Sequence, residues 1–342
     1  MARQLIAALE QGGHTVAVIS PFRSFARDPA AAGSPALQLA ADAEIARITS
    51  VWVADGRPDL WFCYHPYYKA PDLLGPGLCR TFGIPYVTAE ASYSARRNLG
   101  AWAEAQARVL QGIAQAAANI CLTRRDRDGL LAGAPQACVA LLPPFIDATL
   151  FLAAVPEPQP DHLVTVAMMR AGDKFDSFVL MAEALARIAN EPWTLSVIGD
   201  GPLRTEVMAL FADFAPGKIV WHGQKSADEV AALLARASLY VWPGCGEAYG
   251  LAYLEAQAAS LPVIAQDIAG VPEVVRANET AILTPPGDMA AFAEAIRQLL
   301  RDDPQRQAMA KAARRFVRDE RSSAGAAARL QDILKTHLEF VA

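Results

Sequence analysis

The chain has 342 residues, 53% of them hydrophobic and 20% charged, with a formal net charge of -5. That length exceeds one ordinary core and suits two domains of common size, while the small negative charge excludes a nucleic-acid binder that relies on bulk charge. Cys63, Cys79, Cys121, Cys138 and Cys245 are scattered and contain no Cys-x-x-Cys pair; neither a disulfide framework nor a zinc site is indicated, and a reducing cytoplasm fits best.

Residues 2 to 11 read as a helix with Leu5, Ile6 and Leu9 on its buried side, stopped by Gly12-Gly13, and TVAVIS (15 to 20) follows as a predicted strand. The opening breaks at Glu10, too soon for a signal peptide, and no apolar run reaches the roughly 18 residues of a membrane span. A doubly wound domain ordinarily begins with a strand, then a glycine-bearing loop, then a helix. Here the chain enters at the helix, so the first strand and its loop are expected to be absent, with the natural start upstream of Met1 or the chain a fragment.

Apolar, β-rich runs then alternate with helical stretches: LWFCYH (60 to 65), IPYVTAE (84 to 90), NICLT (119 to 123) and CVALLPP (138 to 144). Strands of this kind belong to a parallel sheet buried on both faces. AAVPEPQPD (153 to 161), with its three prolines, reads as a stiff linker. The alternation restarts with LVTVAMM (163 to 169), WTLSVIGD (193 to 200), KIVWHG (218 to 223), SLYVWPG (238 to 244), PVIAQ (262 to 266) and TAILTPP (280 to 286). The predicted fold class is α/β, two doubly wound Rossmann-like domains facing across a cleft: 1–152, a linker at 153–161, and 162–318. A terminal helix, 319–342, is expected to pack back on the first domain. Within 303 to 340, PQRQAMAKAARRFVRDE carries basic residues among alanines. Such a helix can lie on an anionic membrane or present a solvated face, and both readings stand.

One stretch of the second half concentrates chemistry. In GEAYGLAYLE (246 to 255), Glu247 follows an apolar strand and a Pro243–Gly246 loop, and a helix is predicted from about Tyr249. Ligands of open α/β sheets bind at the carboxyl ends of strands, and the free amides of Tyr249, Gly250 and Leu251 would offer an anion site suited to phosphate. The eight positions from Glu247 to Glu255 would rise by about 12 Å along a helix, enough to pass from one end of a diphosphate to the other.

From about residue 163 to 300, VAMMRAGDK (166 to 174), SVIGDGPLR (196 to 204), VWHGQ (220 to 224), YVWPGCGEAYGLAYLEAQAASLPVIA (240 to 265) and AGVPEVV (269 to 275) occur in an order and spacing that resemble the donor domain of retaining family-four glycosyltransferases of the GT-B fold. LPPFIDATLF (142 to 151) resembles the end of that family's acceptor domain. The resemblance implies that Glu247 touches the donor sugar and that Glu255 binds ribose hydroxyls. It also implies that Arg170 and Lys174 neutralise the diphosphate, where fixed cations would stabilise the leaving group. The Arg170–Lys174 loop is shorter than is frequent in the family, and Asp173 is a candidate partner for one cation. Ser260 and Ala269 stand where the family frequently has glycine.

In the first half, His65 and Glu90 end successive predicted strands, and in many relatives a histidine stands where this chain has Glu90. Glu90 reads either as a hydrogen-bond acceptor near the transferred sugar or as a capping or ion-paired residue with Arg96 or Arg97. Asp126-Arg127-Asp128 has the form of a metal-binding Asp-x-Asp but precedes a short helix, so capping is expected and no metal. No cofactor is expected beyond the nucleoside diphosphate sugar as co-substrate. The implied function is metal-independent hexosyl transfer, with retention, to an unknown hydroxyl acceptor. Nucleic acid is not expected as a partner, and peripheral contact with the inner membrane face is left open. A non-catalytic nucleotide-sugar or glycan-binding protein and a sugar-nucleotide epimerase are the alternatives.

Overall fold

Apolar strands bounded by glycine, proline and small polar residues pair into two wholly parallel sheets in the computed structural model, which describes residues 1–338. Contacts divide the chain into a first unit, Met1–Pro143 with the described residues from Ala326 onward, and a second, Pro144–Gly325.

The first unit contains α1 (Ala2–Gln11), α2 (Pro29–Ala32), α3 (Pro35–Asp55), β1 (Trp61–Tyr64), α4 (Gly75–Phe82), β2 (Tyr86–Ala89), α5 (Ala103–Gln115), β3 (Ala118–Cys121), α6 (Arg124–Gly133) and β4 (Val139–Leu141). Its sheet runs β1-β2-β3-β4. TVAVIS does not form the predicted strand: residues 14–20 join no ladder, and Val18 is 81% exposed. An alternating pattern becomes a strand only where a neighbouring backbone accepts its hydrogen bonds. Here the segment is held by side chains instead. Arg47 donates to the Ile19 carbonyl at 2.8 Å, and Ile19 and Phe22 pack on the core around Ile48 and Trp52.

The second unit contains α7 (Thr149–Ala153), β5 (His162–Val166), α8 (Asp173–Ala186), β6 (Thr194–Ile198), α9 (Arg204–Ala209), β7 (Ile219–Gly223), α10 (Ala227–Arg236), β8 (Leu239–Val241), α11 (Leu251–Ala258), β9 (Val263–Gln266), β10 (Ala281–Thr284), α12 (Met289–Arg301) and α13 (Asp303–Glu320). The sheet order is β10-β9-β8-β5-β6-β7. The chain leaves β5 in one direction and resumes at β8 on its other side, which places a topological switch point between these two neighbours, where doubly wound sheets bind ligands. Phe178, Trp193, Tyr240, Trp242, Tyr253 and Phe292 fill the core.

The division falls at Pro143 rather than after 152, because Ile146 and Phe151 are buried in the second unit's core. The 153–161 segment is bonded to the same unit, Glu157 and Gln159 donating backbone N–H groups to the carbonyls of Ala235 and Arg236 at 2.8 and 2.9 Å. Residues 303 to 338 form two helices, α13 and α14 (Ser323–Leu338), with a break at Arg321–Ser322, so the terminal helix starts at Ser323 rather than 319; its predicted residues 339–342 lie outside the described residues. No helix among the described residues is long and apolar enough to cross a membrane.

Candidate functional site

At the switch point the loop after β8 turns through Gly244 and Gly246, both with positive φ, and a side chain at either would collide, with the Tyr253 hydroxyl or with the Asp173 carboxylate. Three hydrogen bonds fix this loop to its supports. Tyr253 donates its hydroxyl to the Trp242 carbonyl at 3.0 Å, Gln266 its amide to the Pro243 carbonyl at 3.2 Å, and the Cys245 N–H bonds the Ser177 hydroxyl at 2.9 Å. Ser177 in turn donates to the Asp173 carbonyl at 2.8 Å, which ties the loop to the first turn of α8.

That scaffold brings Glu247 and Lys174 together. The Lys174 ammonium donates to Glu247 Oε1, the same oxygen accepts the Trp242 indole N–H at 3.0 Å, and the ammonium lies 5.5 Å from the Trp242 ring centroid. Both side chains are mostly buried, 17% and 12% exposed, so the pair is poorly screened by solvent. Arg170, on the loop after β5, is exposed and makes no hydrogen bond or ion pair among the described residues. Asp173 pairs with neither cation there; its carboxylate abuts Gly246. The predicted Arg170–Lys174 pair is thus divided, one free and one committed to Glu247.

The helix after Glu247 starts later than its sequence suggests. α11 begins at Leu251, with Gly250 capping it at φ 76°, and Tyr249 belongs to the loop. The turn-forming freedom of Gly250 delays the helix, so the amides without intrahelical partners start at Leu251. Glu255 lies four residues into the helix, a rise of about 6 Å, which corrects the eight-residue helical rise read from the sequence. Its half-buried carboxyl has no hydrogen bond or ion pair among the described residues, and burial pushes its pKa up.

In the first unit, His65 and Glu90 follow the adjacent strands β1 and β2 directly, and both have φ 57°. Two non-glycine residues in the left-handed region at neighbouring strand ends mark a strained and over-determined corner. His65 Nδ1 is 3.0 Å from the Glu90 carbonyl oxygen. Burial first, then Glu90, pushes the Tyr64 hydroxyl's pKa up. Arg97 lies 4.6 Å over the Tyr68 ring. Asp126 does not cap α6 itself; Thr123 caps it, and Asp126 braces the Thr123 hydroxyl at 2.7 Å while Asp128 pairs with Arg127. No group of three or more His, Cys, Asp or Glu side chains that could hold a metal occurs among the described residues.

Sequence reasoning missed Trp242 and Ser177. A tryptophan at the end of a buried strand needs a partner for its indole N–H, and the nearest chain acceptor past the loop is Glu247.

Residues 160–302 match the family model "Glycosyl transferases group 1". The chain is 32% identical over 123 residues to sulfoquinovosyl transferase SQD2 of Arabidopsis thaliana, covering 35% of this chain and 24% of that protein. It is 27% identical over 269 residues to 2-deoxystreptamine glucosyltransferase of Streptomyces kanamyceticus, covering 72% and 70%. A glycosyltransferase of Rickettsia africae superposes with TM-score 0.70 at 16% identity over 90% of this chain and 83% of its own. Anabaena HepE does so with TM-score 0.69 at 14% identity over 86% and 82%. The fold is that of the GT-B glycosyltransferases. Apart from the Streptomyces kanamyceticus enzyme, the chain spans only 17% to 37% of the first four curated relatives.

Proposed function

We propose that the chain transfers a hexosyl group from a nucleoside diphosphate sugar to a hydroxyl acceptor, with retention and without a metal ion. The observation that carries the proposal is the buried Lys174–Glu247 pair at the switch point, beside the amino end of α11 and a turn away from an unpartnered Glu255. Among the relatives, HepE was solved with UDP and with UDP-glucose, and a Mycobacterium tuberculosis mannosyltransferase is GDP-mannose-dependent.

In this reading Glu255 accepts hydrogen bonds from the ribose hydroxyls and Glu247 faces the donor sugar. Tyr249 and the amides of Gly250 and Leu251 border the phosphates, and Arg170 and Lys174 meet the charge that builds on the departing diphosphate. Lys174 therefore exchanges part of its bond to Glu247 for the diphosphate when donor binds. A double displacement needs a second carboxylate placed as nucleophile; in its place the acceptor attacks on the face the diphosphate leaves, and a diphosphate oxygen takes its proton. His65 and Glu90 are assigned to the acceptor side, and the reaction to the cytoplasm.

The test is nucleoside diphosphate release from a panel of UDP- and GDP-sugars with sugar and polyol acceptors. Glu247→Gln, at saturating donor, is expected to cut turnover by roughly a hundredfold or more. An unaltered rate would remove Glu247 from the reaction.

A further inference from the structure

The basic helix singled out in the sequence has a use that sugar transfer does not require. The apolar side of α13, formed by Met309, Ala312, Ala313, Phe316 and Val317, is buried within the second unit, so this helix does not lay that side on a membrane. Its other edge borders a groove of about 500 Å³, where Lys311, Arg314, Arg315 and Arg318 form one wall. Pro156, Pro158, Ala237 and Ala259 add apolar lining, and no acidic residue lines it.

The four cations differ in commitment. Arg314 donates to the Ala258 and Leu152 carbonyls and is fixed as part of the wall. Arg318 pairs with Asp319 at 2.6 Å. Lys311 and Arg315 are exposed and make no hydrogen bond or ion pair among the described residues, although Asp319 feels the field of Arg315. Glu157, between the two wall prolines in sequence, is exposed and is not part of the lining. Like charges three and four residues apart on a helix repel, and positions 311, 314, 315 and 318 repeat at that spacing. Close in sequence to the wall prolines, Val155 is 73% exposed.

We propose that this groove takes the phosphate-bearing headgroup of an anionic lipid and so docks the second unit on an anionic bilayer surface. A groove lined by both cations and apolar side chains suits an amphiphile: the phosphate oxygens accept hydrogen bonds from the Lys311 ammonium and the Arg315 guanidinium, while the glycerol and first methylenes cover the prolines and Val155. The chain's charge of -5 opposes such a surface at long range, so docking depends on this patch within a Debye length of about 8–10 Å.

The experiment is flotation of the full chain, without donor, on vesicles of phosphatidylcholine alone or mixed with phosphatidylglycerol. Binding is expected only to the mixed vesicles and should weaken with salt. Combined Lys311→Glu, Arg315→Glu and Arg318→Glu should weaken it on the order of a hundredfold, with the circular dichroism spectrum unchanged. Ala310→Trp, which fills the groove and leaves every charge in place, should weaken it roughly tenfold. Absence of binding to the mixed vesicles overturns the proposal, as does undiminished binding of the charge-reversed chain or of Ala310→Trp. Because no donor is present, none of these results depends on the sugar-transfer reading.

Discussion

Glu255→Gln separates a carboxylate kept for a ligand from one kept for the fold. Burial raises the Glu255 pKa in the folded chain, and no cation offsets it among the described residues. A raised folded value means the folded state holds the proton more tightly, so the stabilisation is complete below the unfolded value and is lost as pH rises through the folded one. At pH 7 the ionised group is therefore a net cost. A neutral isostere should stabilise the chain by about 1 kcal/mol, the scale usual for relieving a functional site, or roughly 2–4 °C in Tm for a protein of this size. The gain should shrink toward pH 4, where the wild-type carboxyl is itself neutral. In the same variant nucleoside diphosphate affinity should fall about 10- to 100-fold, since a hydrogen bond to a charged group contributes about 1.5–3 kcal/mol. Calorimetric unfolding at pH 4 and 7 and isothermal titration provide the two readings. A variant less stable at pH 7 that binds nucleotide as tightly as wild type would refute the reasoning.

Trp242→Phe removes the indole donor to Glu247 and leaves Lys174 in place; steady-state kinetics should show kcat reduced by roughly tenfold with donor KM little changed. Ser260 and Ala269 have φ 69° and 52°, so Ser260→Gly and Ala269→Gly should each raise stability by about 0.5–1 kcal/mol in denaturant unfolding, less strain offsetting glycine's greater unfolded freedom. His162 Nε2 and His222 Nε2 both lie 2.9 Å from the Ser196 hydroxyl, and burial pushes both imidazole pKa values down. A lowered folded value makes the unfolded chain bind protons first, so Tm should drop as pH falls below about 6.5. That drop should be smaller in His162→Gln with His222→Gln.

The second unit was legible in the sequence because each apolar run there finds partners on the sheet. Its alternation of strands and helices, the loop after β8 and the positions of Glu247 and Glu255 all follow from local pattern. What sequence could not supply was the pairing across the switch point. Lys174 and Glu247 are 73 positions apart, and their contact depends on how Ser177 and Cys245 join two loops. The late start of α11 turns on the backbone of Gly250, whose positive φ is a tertiary outcome. TVAVIS shows the converse limit: its alternation is as good as that of other strands, yet a strand is a property of a pair. The resemblance to family glycines at 260 and 269 gains a physical basis in their positive φ, which the residue types Ser and Ala conceal.

Thermal unfolding against UDP, GDP, ADP and their sugars, without metal, reads whether the second unit holds a nucleoside diphosphate sugar. A ligand at 100 times its Kd stabilises the folded chain by about 2.7 kcal/mol, a rise of several degrees. Such a rise is expected for one nucleotide family and should be lost in Glu255→Ala. No rise with any nucleoside diphosphate or its sugar at millimolar concentration would contradict such binding.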